Sequence, residues 1–208
     1  MKKITIALIM VISLIAPIQT MAESVTQTVT QTGTIIEPLE QNIEQIIDEI
    51  ISEPRPINSD AIQNVKEYIS EYFGNLGYDN IEYQKFEYND ENNENAIRHS
   101  SQADVFLAST AENAIVDGIG ENIIVTKNSS IDTTKNLIIS AHYDSAEDSV
   151  GANDNGSGVA AVLELARILK DTEMPYNIKF ILFSGEEKYM LGSRWYVGKL
   201  TEDERKQI

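Results

Sequence analysis

The sequence predicts an α/β protein built on a mixed, largely parallel sheet covered by helices on both faces. Three observations carry this. Short apolar runs of strand length alternate with stretches of helical periodicity. The later runs are mostly apolar, as in strands buried on both faces. The 208 residues suffice for one domain with a substantial core and leave little room for a second.

The helical signals begin near Pro38. Ile43, Ile46, Ile47, Ile50 and Ile51 recur at three- and four-residue spacing until Glu53-Pro54-Arg55-Pro56 stops the helix. Ser59 and Asp60 offer an N-cap to a second helix. Its apolar stripe is Ile62, Val65, Ile69, Tyr72 and Phe73, and Gly74 to Gly77 ends it. Ile81 to Tyr88 alternates as a half-exposed strand does, and a polar loop is expected over Asn89 to Gln102. Buried strands are expected at Asn122–Thr126, Asn136–Ala141 and Ile178–Phe183. Helices are expected from Ser157 to about Lys170 and from Glu187 past Trp195 and Tyr196.

The ends of the composition exclude several functions. With 16 basic and 33 acidic residues the net charge is -17, so no basic footprint exists to neutralise phosphates of nucleic acid or anionic lipid. There is no cysteine, which removes disulfides and a lipidated cysteine from consideration. Lys2 and Lys3 precede an apolar run from Ile4 to Ile18, followed by Thr20-Met21-Ala22. That is the layout of a secretory signal over residues 1–22, the other reading being an uncleaved anchor. Residues 23–38 read as a polar linker or pro-segment, and 39–208 as the folded part of the chain. A secreted or periplasmic protein, with no stable membrane span once the signal is cut, is the expectation.

Three clusters fall where α/β sheets place their chemistry, at strand ends and in the loops after them. In Ala141-His142-Tyr143-Asp144-Ser145 an apolar strand ends in histidine, with a carboxylate two residues on. A metal-bound imidazole needs an acceptor on its second nitrogen, and Asp144 is placed to supply one. A hydrogen-bonded surface histidine is the plainer alternative. In the second cluster, residues 151–158, Gly and Asn surround Asp154 before a helix. A dinucleotide fingerprint starting at Gly156 fails, because residues 143–155 separate it from the strand. A calcium loop fails too, since it would need Gly151 and Val162 as its first and last ligands. The third, Phe183-Ser184-Gly185-Glu186-Glu187, delivers paired carboxylates, which repel unless a cation or a shared proton relieves them. A solvated pair at a helix start is again the plainer alternative. His99, in the polar loop, is given no role. Taken together, histidine, aspartate and glutamate from three strand ends suit zinc or a similar divalent ion, with a spare glutamate as general base. The residues alone point as far as a metallohydrolase.

Residues 141–145, 151–169 and 180–197, in that order and spacing, resemble the secreted co-catalytic two-zinc aminopeptidases, the family of bacterial leucyl aminopeptidase and aminopeptidase Y. The Pro54-Arg55-Pro56 and Gly77-Tyr78 segments extend the likeness over roughly 39–208. The resemblance implies a zinc-peptidase three-layer sandwich and cleavage at the free amino end of peptide substrates. It implies that His142 binds one Zn2+ and Glu187 the other, with Asp154 bridging the two ions. Asp144 would orient His142, and Glu186 would act as general base. Gly156 and Gly158 would allow close packing, and Tyr189, Met190 and Leu191 would pack in the core or near the substrate side chain. Tyr189 stands where the family commonly has glycine. The family also has a further aspartate and histidine downstream, where this chain offers only Glu202, Asp203 and Glu204. The 208 residues are therefore expected to be an N-terminal portion, without the sheet's last strands and inactive alone. A zinc-dependent glutaminyl cyclase or dipeptidase on the same scaffold, or a non-catalytic relative, are the other readings.

Overall fold

The computed structural model describes residues 37–89 and 117–208. The expected signal segment, most of the linker, His99 and nearly all of the polar loop lie outside the described residues. Among the described residues no helix is long and apolar enough to cross a membrane.

Helix α1 spans Glu40–Ile50 and α2 spans Asp60–Asn75. Ser59 is the N-cap of α2, its Oγ accepting the Ile62 N–H at 3.1 Å. Gly77, at φ 82°, ends the helix as the glycine signal implied. Strands β1 (Ile81–Tyr88), β2 (Gly118–Lys127), β3 (Asn136–His142) and β4 (Asn177–Phe183) form one sheet in the order β1-β2-β4-β3. Between β3 and β4 lies α3, Ser157–Leu169. After β4 come α4, Leu191–Lys199, and the short α5, Glu202–Arg205.

The sheet is mixed, as expected, and its parallel part is confined to β3 and β4. The β1–β2 and β2–β4 pairings are antiparallel. Apolar runs reveal burial on both faces but not direction, because a central antiparallel strand between two covered neighbours reads the same way. Side chains alternate between two cores. Ile123 and Val125 of β2, with Ile178, Phe180 and Leu182 of β4, meet α1, α2 and α3 through Ile46, Ile50, Ile69, Phe73 and Leu163. On the opposite face Ile124 and Ile181 meet Tyr196 of α4, while Phe86 and Tyr88 pack with Ile57 and Leu191. Helices on both faces thus give the three layers.

Glu164 locks α1 onto α3. Its carboxylate accepts the Leu39 N–H at 2.8 Å, the Asn42 amide, and the Arg167 guanidinium at 2.7 and 2.9 Å. Burial works to raise this carboxyl, but the hydrogen bonds from Arg167, Leu39 and Asn42 outweigh it and hold it below the ordinary glutamate value. A carboxyl depressed in the folded state contributes its full stability above the unfolded value and loses it as pH falls through the folded one. Glu164→Gln is expected to cost about 2–3 kcal/mol at neutral pH. In urea melts the gap from the parent should begin to narrow as pH falls through about 4, the ordinary glutamate range, and close once the folded carboxyl is itself protonated. A gap that stayed constant down to pH 3 would show that charge is not what Glu164 contributes.

Candidate active site

Parallel pairing places the ends of β3 and β4 side by side, with His142 in register with Phe183. Each strand then runs into its own loop, so the first and third sequence clusters meet at one end of the sheet. His142 is buried at 8% exposure. Its Nε2 lies 3.0 Å from Asp154 Oδ1 and 3.9 Å from Glu186 Oε2, while Nδ1 lies 3.4 Å from Asp144 Oδ1. The Asp154 side chain is 76% exposed and that of Glu186 40%, against 1% for Asp144. The imidazole is therefore sealed on its Nδ1 side and open on its Nε2 side.

Asp144 has a second task besides facing His142. Its Oδ1 accepts the Glu186 N–H and its Oδ2 the Glu187 N–H, both at 3.1 Å. Nδ1 of His142 has no aligned hydrogen bond, so the backbone of the Glu186–Glu187 turn is the tighter partner of Asp144. The base of that turn is tied by buried Asn122. Its Oδ1 accepts the Ser184 N–H at 3.1 Å and its amide donates to Gly192 O at 2.9 Å.

The expected helix from Glu187 begins only at Leu191. Gly185, Tyr189 and Met190 all have positive φ (71°, 65° and 59°), which breaks the right-handed path and holds residues 184–190 as a turn. The left-handed backbone at Tyr189 supplies a physical reason for a glycine there. Leu191 is buried as expected, whereas Tyr189 and Met190 are 41% and 43% exposed beside the cluster.

The kinked turn Ala152–Gly156 presents Asp154. Gly151, at φ 57°, permits it: a Cβ there would meet Asp154 O at 2.5 Å. A Cβ on Gly158 would lie 2.0 Å from Asn155 Oδ1, which accepts the Gly158 N–H at 3.1 Å, so the close packing expected at Gly158 is present.

Electrostatics joins Glu187 to the same cluster. Burial, then the neighbouring charges of Asp154, Asp144 and Glu186, raise its carboxyl above the ordinary value against the pull of His142. For His142, burial works downward, but Asp144, Glu186 and Asp154 together hold the imidazole above its ordinary value. Both shifts describe negative charge crowded around one imidazole.

The donor types fit a zinc-type ion: an imidazole nitrogen backed by a carboxylate, facing carboxylate oxygens. Two ligands each about 2.0 Å from a tetrahedral ion sit roughly 3.3 Å apart. The 3.0 Å between Nε2 and Asp154 Oδ1 needs little opening to match that spacing. Among the described residues no three His, Cys, Asp or Glu groups converge to hold a metal ion. His142 Nε2 and Asp154 Oδ1 are thus a close pair of such donor types, with Glu187 in their field.

Arg55 and Asn122 were not singled out as functional in the sequence. Arg55 is fully buried, and its guanidinium binds the carbonyls of Tyr143, Val150 and Gly151. A charged residue between two prolines was a signal, and it reads as a helix stop just as well.

A mixed α/β sheet thus brings a histidine and carboxylates to neighbouring strand ends, and solved structures share this fold. A zinc aminopeptidase from Bacillus subtilis superposes with a TM-score of 0.64 at 19% identity, covering 80% of this chain and 66% of that one. A glutaminyl cyclase from Fimbriiglobus ruber superposes at 0.51 with 20% identity, covering 74% and 48%. Residues 122–208 match the family model Peptidase family M28. Aminopeptidase YwaD of Bacillus subtilis is 43% identical over 95 residues, which are 45% of this chain and 21% of that protein. The chain thus spans about a fifth of the length of that curated relative.

Proposed function

We propose that this chain carries part of the catalytic centre of an aminopeptidase that uses two zinc ions and a glutamate base. One observation supports it most: Asp154 at 3.0 Å and Glu186 at 3.9 Å share the open Nε2 side of His142. In this reading His142, Asp154 and Glu187 would hold the ions, with His142 and Glu187 serving different ones. Paired divalent ions supply Lewis-acid polarisation of the scissile carbonyl and make the attacking water more acidic. Glu186 takes the proton of that water and later hands it to the leaving amine. Asp144 holds the backbone of Glu186 and Glu187, and so sets where the base stands. The carboxylates crowded at the mouth also suit the protonated α-amine of a peptide, which favours cleavage from the amino end. The amino-terminal pattern Lys2-Lys3 followed by an apolar run supports placing this activity outside the cytoplasm.

The reading is tested in a completed chain, this segment joined to the downstream ligand-bearing part of a family relative. Hydrolysis of an aminoacyl anilide is expected to stop on chelation, to return with zinc, and to spare the same anilide with a blocked amine. Indifference to the chelator, or equal cleavage of the blocked compound, contradicts it. Cyclisation of an amino-terminal glutaminyl peptide without anilide hydrolysis would transfer the site to the cyclase reading. The 208 residues alone, with no three donors converging among the described ones, are expected to turn over little.

A further inference from the structure

We infer that Arg55 is a positioning residue that sets the distance between His142 and Asp154. Arginine is almost never fully buried unless paired, and this one is 0% exposed. Its three donor nitrogens reach both ends of one loop. Nε donates to Tyr143 O at 2.7 Å, one residue after His142. Nη1 donates to Val150 O, and Nη2 to Gly151 O at 3.1 Å, three residues before Asp154. The planar fork therefore bridges the start and finish of the 143–151 loop, whose two flanks carry the two donors. The main chain reinforces it: Arg55 N–H donates to Ser145 Oγ at 3.0 Å, and Ser145 N–H donates to Arg55 O at 3.3 Å. Ser145 is itself fully buried, and its Oγ donates to Ser149 O at 2.8 Å.

The guanidinium has a second effect on the same loop. Burial weakens its hold on its proton, while Asp144 and Glu187 strengthen it, so the nearby charges that compensate this cation belong to the cluster. A segment before the sheet, which contributes no ligand, thus holds the loop between two of them in one length. Lysine keeps the charge but cannot reach three carbonyls in a fixed fork, so Arg55→Lys removes the bridge specifically.

Two readouts test this in the purified chain. The first is long-range proton–nitrogen spectra of the His142 ring in metal-free protein at fixed pH, with His99→Gln used for assignment. The second is zinc affinity by competition with a chromogenic chelator. Arg55→Lys is expected to shift the two ring-nitrogen signals toward a tautomer-averaged position and to weaken zinc by about 10–100-fold. A control truncation at Ile69, chosen to match the loss in melting temperature, is expected to change neither. Unaltered ring signals in Arg55→Lys overturn the inference, as does an equal change in the Ile69 control. The zinc arm rests on the proposed function and the ring arm does not. If the parent, with only part of the centre, takes up no zinc, the ring signals alone decide the role of Arg55. Should Arg55→Lys not fold, Ser145→Ala loosens the same loop, and ring signals that it leaves unchanged also overturn the inference.

Discussion

Glu186→Gln in a completed chain is expected to lower kcat by about 10^2–10^4-fold while bound zinc stays at the parent level. Glutamine is the same size, keeps the backbone N–H that Asp144 Oδ1 accepts at 3.1 Å, and removes only the ability to take a proton. Loss should fall on kcat more than on KM, because the proton moves in the transition state and not in substrate binding. His142→Ala should behave differently, losing zinc and activity together. The two outcomes separate a base from a ligand. Retained turnover in Glu186→Gln, or zinc lost in step with activity, would make Glu186 something other than the proton carrier.

Why the place of Glu186 at a strand end was legible in the sequence while its supports were not is a matter of how far each signal reaches along the chain. The strand that ends at Phe183 closes on an apolar run, Phe180 to Phe183, so the residues after it had to emerge where a buried strand ends. The same logic placed His142, which turned out to be the last residue of β3 itself. The helical stripes of α1 and α2 were legible because their apolar spacing is local. Strand order and direction are not local. The β2–β4 pairing joins residues more than fifty apart, and nothing in either run encodes its sense. Asn122 and Arg55 escaped for a related reason. Each binds main-chain carbonyls or amides far away in sequence, and a backbone acceptor leaves no residue type to read. The helix expected from Glu187 starts only at Leu191 because two non-glycine residues, Tyr189 and Met190, adopt left-handed backbone. Propensity assigns that conformation to glycine first, so the deviation is visible only in the fold.

Asp144→Ala is expected to lower the unfolding free energy by about 3–5 kcal/mol, the range for removing one partner of a buried charge. Two separate losses add up at this position. The N–H groups of Glu186 and Glu187 lose their acceptor, and the buried Arg55 cation loses one of the carboxylates that face it. Asp144→Asn keeps one acceptor oxygen and should fall between alanine and parent, with the denaturation midpoint moving and the slope unchanged. A double-mutant cycle with His142→Ala then separates the two tasks of Asp144. If orienting the imidazole were its whole purpose, Asp144→Ala would cost little in a chain that already lacks the ring. The geometry argues otherwise, since Nδ1 is 3.4 Å away and unaligned while both turn amides are at 3.1 Å. Most of the cost should therefore persist in the His142→Ala background, with a coupling energy well below the single-mutant loss. A cycle in which the cost disappears would return Asp144 to the service of His142 alone and leave the Glu186–Glu187 turn to be held by Asn122.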